Sequence, residues 1–324
     1  MRFCIVGAGA TGGYLGAVLA RGGADVVLVA RGPHLAAMQE RGLTVREGDQ
    51  SWTVRPECDG DLAHAVASAG CVVVTLKAPS VPGAAPAIGA ALRSDATVVF
   101  AQNGLPWWYF HGAGGPYEGR RLESVDPGGV IERSIPVGQA LGCVVYPATS
   151  IVEPGVVEHV EESRFTVGEP SGERTERVVE VSRAMAAAGV RAPVSTRLRG
   201  EIWAKLIGNA AANPIAALTR STLGELVGDP GTHAVLVQLM EEVERVAAAV
   251  GIRLPVSVEQ RLAGAGKVGA HRPSTLQDLE AGRHLEVGAL LGSVVEVAGL
   301  TGVAVPGLSL VLALLQRLDA TIAR

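Results

Sequence analysis

The feature that most constrains this chain is the hexapeptide Gly7-Ala8-Gly9-Ala10-Thr11-Gly12. It follows the strand-like run Arg2 to Val6 directly and opens a stretch, Thr11 to Arg21, whose apolar residues recur at helical spacing. Each glycine has a physical reason. The first permits a tight turn, the second lets backbone approach a pyrophosphate, and the third lets helix and strand pack closely while the helix N-terminus faces the phosphates. A second β-branched run, Asp25 to Val29, completes the strand-helix-strand context that separates a dinucleotide fingerprint from a glycine-rich turn. Gly7, Gly9, Ala10, Thr11 and Gly12 are therefore candidate cofactor contacts.

The alternation continues with strands at Cys71 to Thr75 and Ala96 to Ala101 around a helix from Ser80 to Leu92. Shorter strands are expected at Gln139 to Tyr146, Val156 to His159 and Arg164 to Val167, followed by a helix from about Glu173 to Ala188. Beyond Thr196 strand signals stop, and long helical patterns cover Arg199 to Leu218, His233 to Val250, Thr275 to Ala298 and Leu308 to Ile322. The reading is α/β: an N-terminal Rossmann-type, doubly wound parallel sheet in residues 1–196 and an all-helical domain in residues 197–324. Two domains also suit 324 residues at a soft scale of about 150 per domain.

Composition excludes several classes. With 48% hydrophobic and 19% charged residues the chain is not disordered. Its net charge is −4, and its Lys and Arg come in ones and twos without a basic face, so neither nucleic acid nor a membrane surface is an expected partner. Cys4, Cys58, Cys71 and Cys143 lack CxxC spacing, and no metal-ligand pattern occurs, so no metal is expected. Five glycines in the first twenty residues interrupt what would be the apolar core of a signal peptide, which points to a reduced cytoplasmic protein.

An NAD site usually places an acid at the end of the second strand, on the ribose 2′-hydroxyl. Here Val29-Ala30-Arg31 stands there, and Asp25 lies at the opposite end of that strand. Arg31 can fork onto a 2′-phosphate, so the expected cofactor is NADP(H); the plain alternative for Arg31 is a solvated surface residue.

Rare residues mark the rest. The chain has three lysines, Lys77, Lys205 and Lys267, against 25 arginines. Where only a positive charge is needed this sequence uses Arg, so a lysine in a candidate site suggests proton chemistry, which guanidinium cannot readily perform. Lys77 follows a strand's C-terminal end, where open α/β sheets bind ligands. The three asparagines are equally localised: Asn103 follows the strand ending near Gln102, while Asn209 and Asn213 lie four and eight residues after Lys205, on one helix face among apolar neighbours. Exposed faces elsewhere use Arg and Glu, as in Glu241 to Arg245, so this stripe reads as facing a polar ligand rather than solvent.

Taken together, the Gly7 fingerprint, Thr75-Leu76-Lys77, Gln102-Asn103-Gly104, Trp203-Ala204-Lys205-Leu206 with Asn209 and Asn213-Pro214, and Ser274-Thr275-Leu276-Gln277-Asp278 followed by Arg283-His284-Leu285-Glu286 resemble the ketopantoate reductase family across essentially the whole chain. The resemblance implies NADPH-dependent reduction of a 2-oxo acid, 2-dehydropantoate, to pantoate. It implies Lys205 as general acid and Glu286 as its partner, Asn103, Asn209, Asn213 and Ser274 as substrate ligands, and Arg31, Lys77, Asn103 and Glu286 as cofactor contacts. Without it, Glu286 reads as a helix-surface carboxylate, Ser274 as a helix N-cap and His284 as a helix-face histidine. Enzymes of the 3-hydroxyacid and 6-phosphogluconate dehydrogenase class also use a helical Lys-x-x-x-Asn, but the Asn103 and Ser274 pieces do not fit them. A non-catalytic NADPH-binding sensor is the alternative outside enzymes, and a homodimer through the apolar helices after Gly288 is a further expectation.

Two departures from the family pattern stand out. Leu223 occupies a position where many relatives have a further asparagine, and Trp107, Trp108, Tyr109 and Phe110 bring four of the chain's twelve aromatics together directly after Asn103. On a regular helix or strand four consecutive aromatics cannot share one core, so some are expected to be exposed or to line a cavity, which with Leu223 favours a bulkier, more hydrophobic 2-oxo acid; the plain alternative is that they plug a junction between domains or an oligomer interface.

Overall fold

The computed structural model describes residues 1–267 and 269–322. The chain forms two compact units. The first comprises Met1–Gln102, Pro106–Arg121 and Gly128–Leu198; the second comprises Asn103–Leu105, Leu122–Pro127 and the chain from Arg199 onward.

In the first unit the order is β1 (Arg2–Val6), α1 (Ala10–Arg21), β2 (Asp25–Val29), α2 (Gly32–Arg41), β3 (Leu43–Glu47), β4 (Gln50–Val54), β5 (Glu57–Asp59), α3 (Leu62–Ala67), β6 (Cys71–Val74), α4 (Val81–Ala91) and β7 (Thr97–Phe100). It continues with α5 (Val130–Ser134), β8 (Ala140–Val145), β9 (Ala148–Glu153), β10 (Val156–Glu161), β11 (Phe165–Gly168) and α6 (Glu176–Ala187). Seven strands form one sheet in the order β11-β8-β7-β6-β1-β2-β5. All pairs are parallel except β11 with β8. Strands covered on both faces read as continuous apolar runs, and β6, β7 and β8 are buried throughout. The strand order reverses beside β1, with β2 on one side and β6 on the other. The crevice beyond the carboxyl ends of such a pair is where open α/β sheets take ligands.

A second sheet, in the order β4-β3-β10-β9, was not legible in the sequence. Its strands β4 and β9 are only half-buried or exposed and lack a long apolar run. It gives α1 a second face to pack on. Gly13 approaches Val157 of β10, where a Cβ would stand 3.1 Å from Cγ2, while Gly16 turns to the main sheet, where a Cβ would overlap Leu28. The Tyr14 ring stacks on His159 with centroids 4.2 Å apart.

The aromatic tetrapeptide corrects the sequence expectation. Trp107, Trp108, Tyr109 and Phe110 are 3%, 1%, 2% and 2% exposed. They form successive turns, with Tyr109 N–H donating to Pro106 and His111 N–H to Trp108, so neighbouring side chains are not forced to opposite faces. Trp107 meets Phe100 edge-on at 5.6 Å, Phe110 meets Tyr117 at 5.8 Å, and the Trp108 ring lies over Gly142 of β8, which could not carry a Cβ without overlapping it.

The second unit is built on α7 (Leu198–Thr219), α8 (Leu223–Gly228), α9 (Pro230–Ala249), α10 (Val258–Lys267), α11 (Ser274–Glu280), a π-helix over Gly288–Gly292, α12 (Ser293–Thr301) and α13 (Pro306–Ile322). The single helix expected from Thr275 to Ala298 is broken. Gly282 is left-handed (φ 63°), Arg283 N–H donates to Asp278 and Gly282 N–H to Leu279, the paired bonds of a Schellman stop. The start of α13 is held from α9, where the Glu242 carboxylate, 1% exposed, accepts from Gly307 N–H at 3.0 Å and Leu308 N–H at 2.8 Å. Among the described residues no helix is long and apolar enough to cross a membrane.

Two expected outcomes follow from this packing. Glu242→Gln leaves one of the two buried N–H groups with a poorer acceptor and removes a charge from a helix N-terminus, so chemical denaturation should show a loss of about 1.5–3 kcal/mol. Trp108→Ala should cost about 3–5 kcal/mol by the same measurement, through the cavity it leaves, while the relative kcat/KM for small and bulky 2-oxo acids stays as in the wild type. A change in that preference would return the aromatic segment to the substrate.

Candidate active site

The carboxyl ends of β1, β2 and β6 border a cavity of about 780 Å³, lined among others by Gly7, Gly9, Ala10, Thr11, Arg31 and Lys77. Its floor is set by close packing. Gly7 is left-handed (φ 98°), and a Cβ on Gly12 would overlap Thr75 Oγ1 and the Gly7 carbonyl oxygen, so that position accepts only glycine. Thr75 Oγ1 donates to the Gly7 carbonyl at 2.8 Å, locking the turn to the end of β6. Gly9 differs: a Cβ there would meet only Gly7 O, at 3.9 Å, so its backbone is open to approach. The helical ladder of α1 begins with Gly13 N–H on Gly9 O, which leaves the amides of Ala10, Thr11 and Gly12 as the donors every helix start presents. Helix starts of that kind suit a phosphate.

Arg31 is exposed and caps α2 at the cavity's edge. The carboxylate that the fold brings beside the end of β2 is Asp59, whose β5 neighbours Val29 in register. Sequence spacing could not show this pairing. Asp59 is engaged: Oδ2 meets His64 Nδ1 at 2.7 Å and Oδ1 accepts from Asp61 N–H at 2.8 Å, and these hydrogen bonds hold its carboxyl below the usual carboxylate range. The cavity also takes in His34, which sequence reasoning passed over; its Nδ1 accepts from Gly155 N–H at 3.0 Å, and burial pushes its pKa down, so it is neutral.

The second group of candidates is assembled within the second unit. Lys205 Nζ donates to Asn103 Oδ1 at 2.7 Å. Asn103 is delivered by close backbone contact: Leu105 N–H donates to the Ala289 carbonyl at 3.2 Å, and Gly104, left-handed at φ 92°, lies so near that carbonyl that a Cβ would overlap it. Ala289 belongs to the π-helix, and that helix starts from Glu286, whose carbonyl accepts from Leu290 N–H. Asn103 and Glu286 are thus fixed by the same short irregular helix, a type of insertion that recurs at functional sites. Ahead of Glu286, Leu285 N–H donates to Asp319 Oδ1 of α13 at 2.7 Å.

Burial sorts the remaining candidates. Glu286 is 8% exposed in the segment between α11 and the π-helix, so it is not a helix-surface carboxylate. His284 precedes it in the same non-helical segment and bonds Asp319 through Nδ1, so it is not a helix-face residue. Asn209 is half-buried and Asn213 is 7% exposed, both on α7 with Lys205. Ser274 is exposed and is the first residue of α11, with Pro273 at the N-cap position, so it does not cap that helix. Asn103 and Glu286, expected also at the cofactor, belong to the second unit and are not among the residues lining the cavity. Among the described residues no cluster of His, Cys, Asp and Glu could hold a metal ion.

The chain is similar to known proteins along most of its length. The family model for "Ketopantoate reductase PanE/ApbA" matches residues 3–107, and that for "Ketopantoate reductase PanE/ApbA C terminal" matches residues 197–319. A 2-dehydropantoate 2-reductase of Mesorhizobium japonicum is 47% identical over 320 residues, covering 98% of both chains. A crystal structure of a PanE/ApbA family ketopantoate reductase from Ralstonia eutropha superposes with a TM-score of 0.86 at 30% identity, over the full length of both chains. A D-mandelate dehydrogenase solved with NADH and anilino(oxo)acetate shares the fold at TM-score 0.84 and 19% identity, again over both full lengths. The Rossmann-type sheet, the helical C-terminal region and these matches along both ends of the sequence place the chain in the ketopantoate reductase family of oxidoreductases.

Proposed function

We propose that this chain reduces a 2-oxo acid to the 2-hydroxy acid with NADPH as hydride donor, and that the substrate is 2-dehydropantoate, the compound for which the Mesorhizobium relative is named. The observation that carries the reading is the Lys205 ammonium held at 2.7 Å by Asn103, a neutral acceptor, on a half-buried stretch of an otherwise apolar helix. The bond to Asn103 orients the ammonium, which acts there as an electrophile and a proton donor. Lys205 polarises the keto oxygen and delivers a proton to the alkoxide as it forms. Glu286, buried nearby in sequence to the π-helix, and Asn209, Asn213 and Ser274 hold the substrate. These roles follow the family pattern residue by residue.

The open approach at Gly9, the amides at the start of α1 and Lys77 at the end of β6 suit a pyrophosphate, and Arg31 suits a 2′-phosphate. Bound there, NADPH supplies the hydride to the keto carbon. The engagement of Asp59 with His64 and Asp61 leaves Arg31 as the group at the end of β2 best able to choose between cofactors. The burial of Trp107 to Phe110 removes the aromatic half of the sequence argument for a bulkier substrate; the other half was Leu223.

Steady-state kinetics test both halves. The wild type should prefer NADPH over NADH, and Arg31→Ala should lower that preference roughly ten- to a hundredfold, the range for a charge-assisted pair to phosphate; equal kcat/KM for the two cofactors in the wild type overturns the assignment. Lys205→Ala should lower kcat by about 10² to 10⁴ and leave NADPH binding, measured by fluorescence titration, intact. Lys205→Arg should not restore turnover, because guanidinium is a poor proton donor. Near-normal kcat in the Arg variant would reduce Lys205 to a charge.

A further inference from the structure

The second unit contains a half-buried cation, Arg261, that the reaction described above does not use. Arg261, on α10, extends to α7 and donates from Nη1 to the Ala204 carbonyl oxygen at 2.6 Å. Its Nε is buried with no hydrogen-bond partner among the described residues. No described carboxylate forms an ion pair with it, and burial holds the guanidinium below its ordinary pKa against an upward pull from Glu244. A buried guanidinium N–H with no acceptor costs stability, and an anion beside it would complete it.

Its position says which anion. From Ile202 to Ala217, the residues of α7 that are not fully buried are Ala204, Lys205, Gly208 and Asn209. Ala204 and Gly208 are one turn apart, and a Cβ built on Gly208 would meet no atom within 4 Å, so there is open space beside the carbonyl that Arg261 holds. The guanidinium therefore borders the same part-open stripe that presents Lys205. A 2-oxo acid carries its carboxylate on the carbon next to the ketone, so a site that takes the ketone on Lys205 needs a carboxylate partner a short distance away. Guanidinium matches a carboxylate bidentately and, unlike Lys205, does not compete as a proton donor.

We propose that Arg261 binds the carboxylate of the 2-oxo acid substrate, making it a specificity residue for α-keto acids over neutral ketones. The proposal rests on the assignment of Lys205 to the ketone oxygen. The test compares 2-dehydropantoate with its uncharged methyl ester in the wild type, Arg261→Gln and Arg261→Lys, all with NADPH, together with thermal unfolding of each variant. The expected result is that Arg261→Gln raises KM for the acid roughly ten- to a hundredfold while kcat/KM for the ester stays within about twofold, and that Arg261→Lys retains part of the preference for the acid. Acid and ester falling by the same factor, no loss for the acid, or failure of both variants to fold would assign the guanidinium to packing and overturn the proposal. A wild type that reduces neither compound would instead refute the functional reading beneath it.

Discussion

The approach of α1 to β1 and β6 is the constraint on which the first unit depends. Gly12 must lie against Thr75 and the Gly7 carbonyl for the helix to start where it does, and Thr75 fastens that carbonyl from the opposite strand. Any side chain at Gly12 would lift the helix from the sheet, moving its free amides and the turn at Gly7 together. The same helix is held from behind by the small sheet through Gly13 and the Tyr14 and His159 stack. Its orientation is therefore determined from two sides, which preorganises an anion site without any charged side chain in the turn itself.

The second unit reaches comparable rigidity by different means. Lys205 is a long side chain on a helix, and its bond to Asn103 narrows the rotamers its ammonium samples. Asn103 is in turn fixed by backbone contact, with Gly104 against the carbonyl of Ala289 and Leu105 N–H bonded to it, on a π-helix. Asp319 steadies the approach to Glu286 from α13, and Glu242 steadies α13 from α9. The catalytic candidates thus sit at the end of a chain of backbone-directed bonds that begins in the body of the helical unit.

Much of this was legible in the sequence because the signals are local. Continuous apolar runs marked β1, β6 and β7, glycine spacing marked the turn, and the scarcity of lysine and asparagine singled out Lys205 and Asn103 long before their contact was visible. What escaped depends on partners distant in sequence. β10 was expected, but its parallel partner β3 lies more than a hundred residues earlier, and β3 alone does not show why it is a strand. Gly282 ends α11 through bonds that only a three-dimensional turn reveals, and the apolar periodicity ran straight across it. The aromatic tetrapeptide misled because alternation was assumed where the backbone forms turns. Arg261 looked like one of 25 arginines until its unpartnered Nε set it apart.

The two excursions of the chain bear on how the protein is made. Asn103–Leu105 and Leu122–Pro127 are synthesised in the midst of the first unit, yet their partners, Ala289 and Glu296, leave the ribosome more than 150 residues later. Until then Ser124 lacks the carboxylate that receives its amide and hydroxyl, and Asn103 lacks the surface that shapes it. The nascent first unit can close its sheet early, but the Lys205 partner takes its place only when the last helices arrive. Assembly of the Lys205–Asn103 pair is thereby coupled to synthesis of the segment around residues 289–296, and no single cut of the chain yields both units whole.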